Sequence, residues 1–219
     1  MNHAYCWKCS IPKCSIKIDG VELEQVKQFN YLGSILTSDG RSKVEINRRI
    51  GHAKSAFRDM TNILSNKKIS IQIRLRTLKA YIWPIMKYAC ETWNIGKEEG
   101  RKIESFELWC YRRMQKISWT ERKSNDEVLR SVGTKKELLN GIKEQQMKFF
   151  GHIVREGNIE ELITTGRIEG TRDRGRQRIK QLDNIRDWLQ LDKNCEVIHS
   201  CRDREQWRSM IAQAVRHGT

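Results

Sequence analysis

Apolar and polar residues alternate along the first part of the chain and then change to a helical spacing. The alternation runs over residues 16–36 and is interrupted at Asp19-Gly20, a dipeptide that favours a two-residue turn between antiparallel strands. This pattern predicts a small β-hairpin. The next apolar residues recur at steps of four and three, typical of one face of an amphipathic helix, and they are Ile46, Ile50, Ala53, Phe57, Met60 and Leu64.

Two more helices are predicted before residue 120. One begins after Ser70, a good N-cap residue, and Pro84 inside its apolar pattern predicts a kink or a break just before the proline. The other carries Cys110 and four further apolar residues on one face. Because the three apolar stripes are compatible and the connections are short, we expect an antiparallel bundle.

Helix starts and the C-terminal helices follow from capping patterns and periodicity. Capping boxes are predicted where a serine or threonine precedes a glutamate by three residues, at Ser42 with Glu45, Ser124 with Glu127 and Thr134 with Glu137. Amphipathic segments after residue 124 predict helices near residues 138–153, 159–164, 179–191 and 203–215.

The patterns together predict a mainly α protein. We expect four parts, which are an irregular tail (1–15), a β-hairpin (16–40), a three-helix bundle (41–119) and a second helical region (120–219). The boundary near residue 120 rests on the polar run 120–124.

The charge balance gives the first indication of function. The 219 residues include 42 Lys and Arg against 27 Asp and Glu, a formal charge of +15. A surplus of this size favours a polyanionic partner, most often RNA or DNA. The alternative is a basic surface with no dedicated ligand.

Several features of the sequence indicate the cellular compartment of the protein. No apolar run approaches the roughly 20 residues of a membrane span, so we expect no membrane partner. The polar N-terminus does not resemble a secretory signal, and seven scattered cysteines indicate reduced thiols. We therefore expect an intracellular protein, nuclear or cytoplasmic. Cys90 and Cys110 fall in helical patterns and are interpreted as core residues.

Two kinds of basic cluster are candidate nucleic-acid contacts. A glycine-interrupted segment can present guanidinium groups to phosphate oxygens through Arg172, Arg174, Arg176, Arg178 and Lys180. Its alternative is a solvated loop paired with Glu169 and Asp173. Helix faces supply a second set, which consists of Arg48, Arg49, Lys54, Arg112 and Arg113. Their alternative is an ordinary solvent-exposed face.

Metal and catalytic motifs are scarce. The spacing of His3, Cys6, Cys9 and Cys14 is compatible with zinc but matches no established pattern, and Cys195, His199 and Cys201 offer only three ligands. We expect no zinc site and no cofactor. The sequence has no Walker loop, no GxSxG, no HExxH and no adjacent aspartates, although two-metal polymerases need clustered carboxylates. No catalytic residue is predicted.

Short motifs along the chain resemble the region after the palm in reverse transcriptases of non-LTR retrotransposons, and they are most similar to RTE-type elements. The motifs occur in the family's order, as FNYLGS at 29–34, YACETW at 88–93, FELWCYRR at 106–113, ISWT at 117–120, FGH at 150–152 and DRxxW at 203–207. The family is an RNA-directed DNA polymerase that uses Mg²⁺ in its palm.

The resemblance implies a role for each part. It implies that the hairpin is a primer grip, with Tyr31, Leu32, Gly33 and Ser34 beside a primer terminus. It implies that the following helices form a thumb around a template–primer duplex, and that the segment from Arg172 to Lys180 holds element RNA or target DNA.

Departures from the family limit what is expected. The paired aspartates of the palm and the endonuclease are missing, Ala89 replaces a usual glycine, and Gln181 replaces a common tryptophan. We expect a fragment of a decayed element with no catalysis alone. The alternatives are a chain that completes a palm supplied in trans, a host interaction domain, and an inert relic.

Overall fold

The computed structural model describes residues 15–167 and 180–217. The fold is mainly α, as predicted, with short strands confined to the start of the described chain. The strands are β1 (Lys17–Ile18), β2 (Val21–Glu22), β3 (Gln28–Tyr31) and β4 (Ser34–Thr37).

Helices occupy most of the remaining described residues. The first group comprises α1 (Lys43–Asp59), α2 (Thr61–Leu64), α3 (Ile71–Thr77), a π-helical turn (Leu78–Ile82), α4 (Trp83–Lys87), a 3₁₀ turn (Cys90–Thr92) and α5 (Lys97–Gln115). The second group comprises a 3₁₀ turn (Trp119–Glu121), α6 (Asn125–Val132), α7 (Leu138–Glu156), α8 (Ile159–Thr165), α9 (Gln181–Trp188), α10 (Asn194–Arg202) and α11 (Arg204–His217).

The N-terminal region contains two hairpins, so the prediction of a single hairpin over residues 16–40 is wrong in number. Strand β1 pairs with β2 through Asp19-Gly20, and β3 pairs with β4 through Leu32-Gly33. Both turn residues have positive φ in each case, at 51° and 82° in the first turn and at 47° and 75° in the second. This is the type I′ geometry that matches strand twist. Leu-Gly is an uncommon pair there, which is why the pattern did not indicate it.

Local helix signals are confirmed where no distant side chain competes with them. Ser124 Oγ accepts from the Glu127 N–H at 3.2 Å while Glu127 accepts from the Ser124 N–H at 2.6 Å, which completes the predicted capping box. Ser70 caps α3 by accepting from the Ile73 N–H. The chain stays helical through Pro84, so the predicted break does not occur, but the helix is irregular there, because a π-helical turn ends at Ile82 and α4 starts at Trp83.

Two predicted capping boxes are wrong because distant groups replace them. Ser42 Oγ accepts from the Asn94 N–H at 3.0 Å, and Glu45 turns towards arginines of its own helix. Helix α7 begins at Leu138, where Glu107 Oε1 of α5 accepts from the Glu137 and Leu138 N–H groups at 2.8 and 3.2 Å. Burial raises the pKa of Glu107, although hydrogen bonds from the Glu137 N–H and the Tyr111 hydroxyl act in the opposite direction.

Two apolar cores meet along α7. The first joins α1, the α3–α4 region, α5 and α6, and it ends on α7 at Leu138 and Ile142. The second begins at Met147 and Phe150 and joins α7 to α9, α10 and α11, where Trp207 is buried. The apolar clusters therefore divide within α7, further along the chain than the polar run near residue 120. That predicted domain boundary stays a prediction.

Buried polar side chains connect the two cores. Gln146 lies between them on α7, and its Nε2 donates to the Cys90 and Trp93 carbonyls at 2.6 and 2.8 Å. From α9, Asn184 Nδ2 donates to the Ile95 carbonyl at 3.1 Å. The irregular segment between α4 and α5 is thus held from both sides.

Cys90 and Cys110 are buried, which confirms their prediction as core residues. Burial raises the pKa of Cys90 to about 12 and raises that of Cys110, so both stay protonated thiols near neutral pH. Helix α10 had no predicted counterpart. Among the described helices, none has both the length and the apolar character that crossing a membrane requires.

Two helical glycines provide a matched test of the packing between α7 and α11. A Cβ on Gly151 would lie 2.2 Å from Trp207 Nε1, whereas a Cβ on Gly51 would meet nothing within 4 Å. We expect Gly151→Ala to lower the free energy of unfolding by about 1–3 kcal/mol through overpacking. Gly51→Ala should raise it by about 0.5–1 kcal/mol, because glycine is entropically costly inside a helix. Urea unfolding measures both, and equal stabilities of the two variants would contradict this packing.

Candidate nucleic-acid interface

The tip of the β3–β4 hairpin holds the four residues of the predicted primer grip. Tyr31 and Leu32 are exposed there, with Leu32 at 76%. Gly33 and Ser34 follow in the turn and the first position of β4. Tyr88 contacts the tip, because its hydroxyl donates to the Leu32 carbonyl at 2.8 Å.

Helix α1 holds this hairpin through a buried carboxylate. Glu45 is 2% exposed and accepts from Arg48 Nε at 2.9 Å, from Arg49 Nε at 2.6 Å and from the Ile35 N–H at 2.9 Å. Arg48 and Arg49 also donate to the Gly33 carbonyl. One carboxylate and two guanidinium groups thereby join the first turns of α1 to the hairpin turn and to β4.

Arg48 and Arg49 are thus held within the fold. Arg49 is 9% exposed, and its guanidinium lies over the Tyr88 ring at 4.3 Å from the centroid. Arg48 is partly exposed, but its donors face Glu45 and Gly33. The structure therefore gives this predicted pair a position beneath the hairpin rather than on an open helix face.

Burial and hydrogen bonding act in opposite directions on Glu45. Burial raises the pKa of its carboxyl group, but hydrogen bonds from Arg48, the Ile35 N–H and Arg49 outweigh burial and hold the pKa below its usual value. The charged form is therefore the stable one in the folded protein at neutral pH.

A basic groove lies at the other end of α1, between α1, α2, the end of α5 and the segment that follows. We call it the α1–α5 groove. Its volume is about 940 Å³. Six of its twelve lining residues are cationic, and none of those described there is acidic. The cations are Arg58, Arg112, Arg113, Lys116, Arg122 and Lys123.

Several groove cations have no acidic partner. Within the described ranges, Arg58, Lys116 and Arg122 form no ion pair. Arg112 donates to neutral acceptors, the Lys123 carbonyl at 2.8 Å and Asn125 Oδ1 at 3.1 Å. Lys123 pairs with Glu121 at 2.8 Å. Most of the positive charge in the groove is therefore not neutralised by the protein.

The end of α5 explains part of this charge. Cations in a last helical turn stabilise the helix dipole, which accounts for Arg112 and Arg113. The carbonyls at that end already have donors, because Ser65 Oγ donates to Arg113 and buried Arg74 donates to Met114 at 2.6 Å. The dipole does not account for Arg58 of α1 or Arg122, which come from other segments.

An aromatic ring forms one side of the groove. Trp109 is partly buried, with its ring centroid 5.1 Å from that of Phe57. Lys54 Nζ and the Arg113 guanidinium lie 5.3 and 5.5 Å from the Trp109 centroid. The predicted residues Lys54 and Arg113 are thus brought together around one tryptophan, a grouping that helical periodicity does not indicate.

The remaining predicted residues lie elsewhere. Lys180 precedes α9, and its N–H donates to Asp183 Oδ2 at 2.9 Å. Arg172, Arg174, Arg176 and Arg178 lie outside the described residues, as do His3, Cys6, Cys9 and Cys14. Among residues 15–167 and 180–217, no group of three or more His, Cys, Asp or Glu side chains is arranged to hold a metal ion.

Sequence reasoning missed four groove cations, Arg58, Lys116, Arg122 and Lys123. Arg58 is separated from Arg122 and Lys123 by more than 60 positions, so no local pattern joins it to them. Lys116 and Arg122 adopt positive φ, at 56° and 48°, and these bends return the chain past the end of α5. The cluster is therefore a product of tertiary structure.

Comparison with known proteins gives one informative relative. The chain is 26% identical over 204 residues to a Caenorhabditis elegans protein described as uncharacterized and transposon-derived, and the match covers 87% of this chain and 72% of the relative. No protein-family model matches the chain. No solved structure matches it significantly. The similarity indicates a transposon-related origin.

The contribution of Glu45 to stability depends on pH. Because the pKa of Glu45 is lower in the folded chain than in the unfolded one, its stabilising effect is present at neutral pH and is lost as pH falls through the folded value. We expect Glu45→Gln to cost about 3 kcal/mol at pH 7, as for one partner of a buried ion pair.

Urea unfolding of both chains over a pH series tests this expectation, and the difference should shrink below about pH 4. Glu98→Gln is the matched control, because Glu98 is exposed and pairs with Lys43 and Lys102 on the surface, so the effect should be much smaller. A Glu45 effect that is small at neutral pH, or unchanged by acid, would contradict the assigned role.

Proposed function

We propose that this chain binds nucleic acid through the α1–α5 groove and acts as the thumb and C-terminal part of a transposon-derived reverse transcriptase. The observation that carries the proposal is the convergence of six cations on one groove without an acidic lining residue among those described. Guanidinium and ammonium groups so placed suit backbone phosphates. They confer affinity without base specificity.

The geometry of α1 connects this groove to the hairpin tip. Glu45 holds the tip and Arg58 lines the groove, and their separation of 13 positions corresponds to about 20 Å along a helix. A duplex rises about 3.4 Å per base pair, so this distance covers roughly six base pairs. The axial distance is short enough for one duplex to reach both places, and we propose that its end lies at Tyr31 and Leu32 and that its backbone bends around α1 to the groove.

Position 89 adds support from the resemblance. Ala89 has a φ of 56°, a left-handed conformation that glycine adopts most easily. Glycine is usual at this position in non-LTR reverse transcriptases, which is consistent with the same bend before the 3₁₀ turn. The transposon-derived relative supports an origin in a transposon.

A second proposed role is the completion of a polymerase in trans. Much of the apolar surface of the two hairpins is uncovered, including Phe29 at 57% and Leu36 at 55% exposure. An apolar surface of this kind is typical of protein contact sites. A palm-bearing reverse transcriptase is the partner that the resemblance implies, and it would supply the carboxylates.

The groove assignment predicts a change in the salt dependence of binding. We expect the triple variant Arg113→Ala, Lys116→Ala, Arg122→Ala to weaken binding of an RNA–DNA hybrid. The slope of log affinity against log salt should fall by about 2 to 3, because each lost phosphate contact removes roughly 0.9. Fluorescence anisotropy over a salt series measures both, with RNA hairpin and DNA duplex as further ligands.

The matched control removes three exposed cations outside the groove, Arg76, Lys97 and Arg101. Its slope should stay near that of the unmodified chain. If the two triple variants lost the same affinity and the same salt slope, binding would depend only on net charge. That result would contradict the groove assignment. Failure of the unmodified chain to bind at low salt would favour the inert relic.

Catalysis is predicted to be absent from the isolated chain. Two-metal phosphoryl transfer requires carboxylates that hold two ions about 4 Å apart, and the described residues contain no such group. We expect no magnesium-dependent extension of a labelled primer by the purified chain. Extension that persists after further purification would overturn the assignment of the chain as a thumb without a palm.

A further inference from the structure

A second cationic cavity lies between α7 and α11, against the second apolar core. Its volume is about 480 Å³. The lining residues are Lys148, His152, Arg155, Arg204, Trp207, Arg208 and Ile211. On α7 they are spaced by four and three, and on α11 they also recur at i, i+3, i+4 and i+7, so each helix contributes one face. We call this the α7–α11 cavity.

Close packing of the two helices brings these faces together. Gly151 has no side chain, and Trp207 fills the space beside it, with its Nε1 donating to the Met147 carbonyl at 3.0 Å. Any larger residue at 151 would push α11 away. The buried contact between Gly151 and Trp207 therefore holds the cations of the two helices around one cavity.

The arginines of the cavity are not neutralised by the protein. Among the described residues, Arg204 and Arg208 form no ion pair or hydrogen bond through their side chains. Arg155 donates to the Cys201 carbonyl at 2.9 Å. This hydrogen bond orients the guanidinium group, but a neutral carbonyl does not neutralise its charge. Lys148 and His152 face Glu144 and Glu156 of their own helix, which lie outside the lining.

We propose that the α7–α11 cavity is a phosphate-binding site for nucleic acid, distinct from the α1–α5 groove. Like charges held close together repel one another, and an anion bound between them removes this repulsion. Three guanidinium groups from two helices offer paired N–H donors with the geometry that phosphate oxygens accept. The volume admits one phosphate group with its attached sugar. Either an internal phosphodiester or a 5′-terminal phosphate can supply this group.

The test uses the buried tryptophan as a local reporter. The full chain is labelled with 5-fluorotryptophan, and the Trp207 resonance is assigned by its loss in Trp207→Phe. Sodium pyrophosphate is titrated at constant ionic strength, with sodium chloride as reference. We expect a saturable shift of the Trp207 signal, with a half-saturating concentration about tenfold higher in the Arg204→Ala, Arg208→Ala variant.

Matched variants separate this site from general charge. Arg76→Ala with Arg101→Ala removes the same charge outside the cavity and should leave the titration unchanged. Thermal unfolding checks that each variant folds, and Arg208→Lys, which keeps the charge but not the fork of donors, should give an intermediate result. An unshifted Trp207 signal, or equal titrations in all variants, would overturn the proposal.

Oligonucleotides then identify the source of the phosphate. An eight-residue oligothymidylate is added with a 5′-phosphate or a 5′-hydroxyl. A Trp207 shift with both forms supports an internal phosphodiester, a shift with the phosphorylated form alone supports a terminal phosphate, and a shift with neither overturns the nucleic-acid assignment. These titrations are repeated in the α1–α5 groove triple variant. We expect the triple variant to show the same Trp207 shift even though its groove no longer binds nucleic acid. One of the two proposals can therefore be wrong while the other holds.

Discussion

Packing on both halves of α7 is the constraint on which the rest of this structure depends. Leu138 and Ile142 complete the first apolar core, and Met147 and Phe150 begin the second. Between them, Gln146 satisfies two carbonyls of the segment that joins α4 to α5. Because one continuous helix belongs to both cores, the hairpins and α1 on one side and α9 to α11 on the other share one rigid element.

This arrangement separates the arginines by role. Arg49 and Arg74 are buried, and their donors satisfy Glu45 and backbone carbonyls, so their charges serve the fold. Arg58, Arg122, Arg204 and Arg208 line openings and have no acidic partners among the described residues. The formal charge of +15 therefore includes cations that are buried and not available to a polyanion. Several of the available cations line the α1–α5 groove and the α7–α11 cavity.

Periodicity and capping chemistry predicted much of the fold, because these signals act over a few residues. The apolar face of α1, the helical irregularity before Pro84 and the capping box at Ser124 all follow from neighbours in sequence. Predictions failed where a distant group competed. Ser42 accepts from Asn94, and Glu107 of α5 caps α7, so the two other capping boxes do not form.

The candidate sites were less accessible to sequence reasoning for the same reason. Arg48 and Arg49 have the pattern of an exposed basic face, yet the turn of a hairpin folds back onto them and accepts their hydrogen bonds. Arg58 and Arg122 line the same groove only because α5 returns the chain to the end of α1. Contacts between distant elements therefore decide whether a basic residue is available for binding, and the local sequence does not show these contacts.

Photochemical crosslinking shows directly whether nucleic acid lies in the α1–α5 groove. RNA that contains 4-thiouridine is bound to the chain, irradiated and digested with a glutamate-specific protease, and the peptides that carry nucleotide are sequenced by mass spectrometry. Cleavage after Glu107 and Glu121 isolates residues 108–121, which carry Trp109, Arg113 and Lys116. We expect crosslinks on this peptide, and we expect the groove triple variant to lose them. Crosslinks that are abundant elsewhere and absent from residues 108–121 would contradict it.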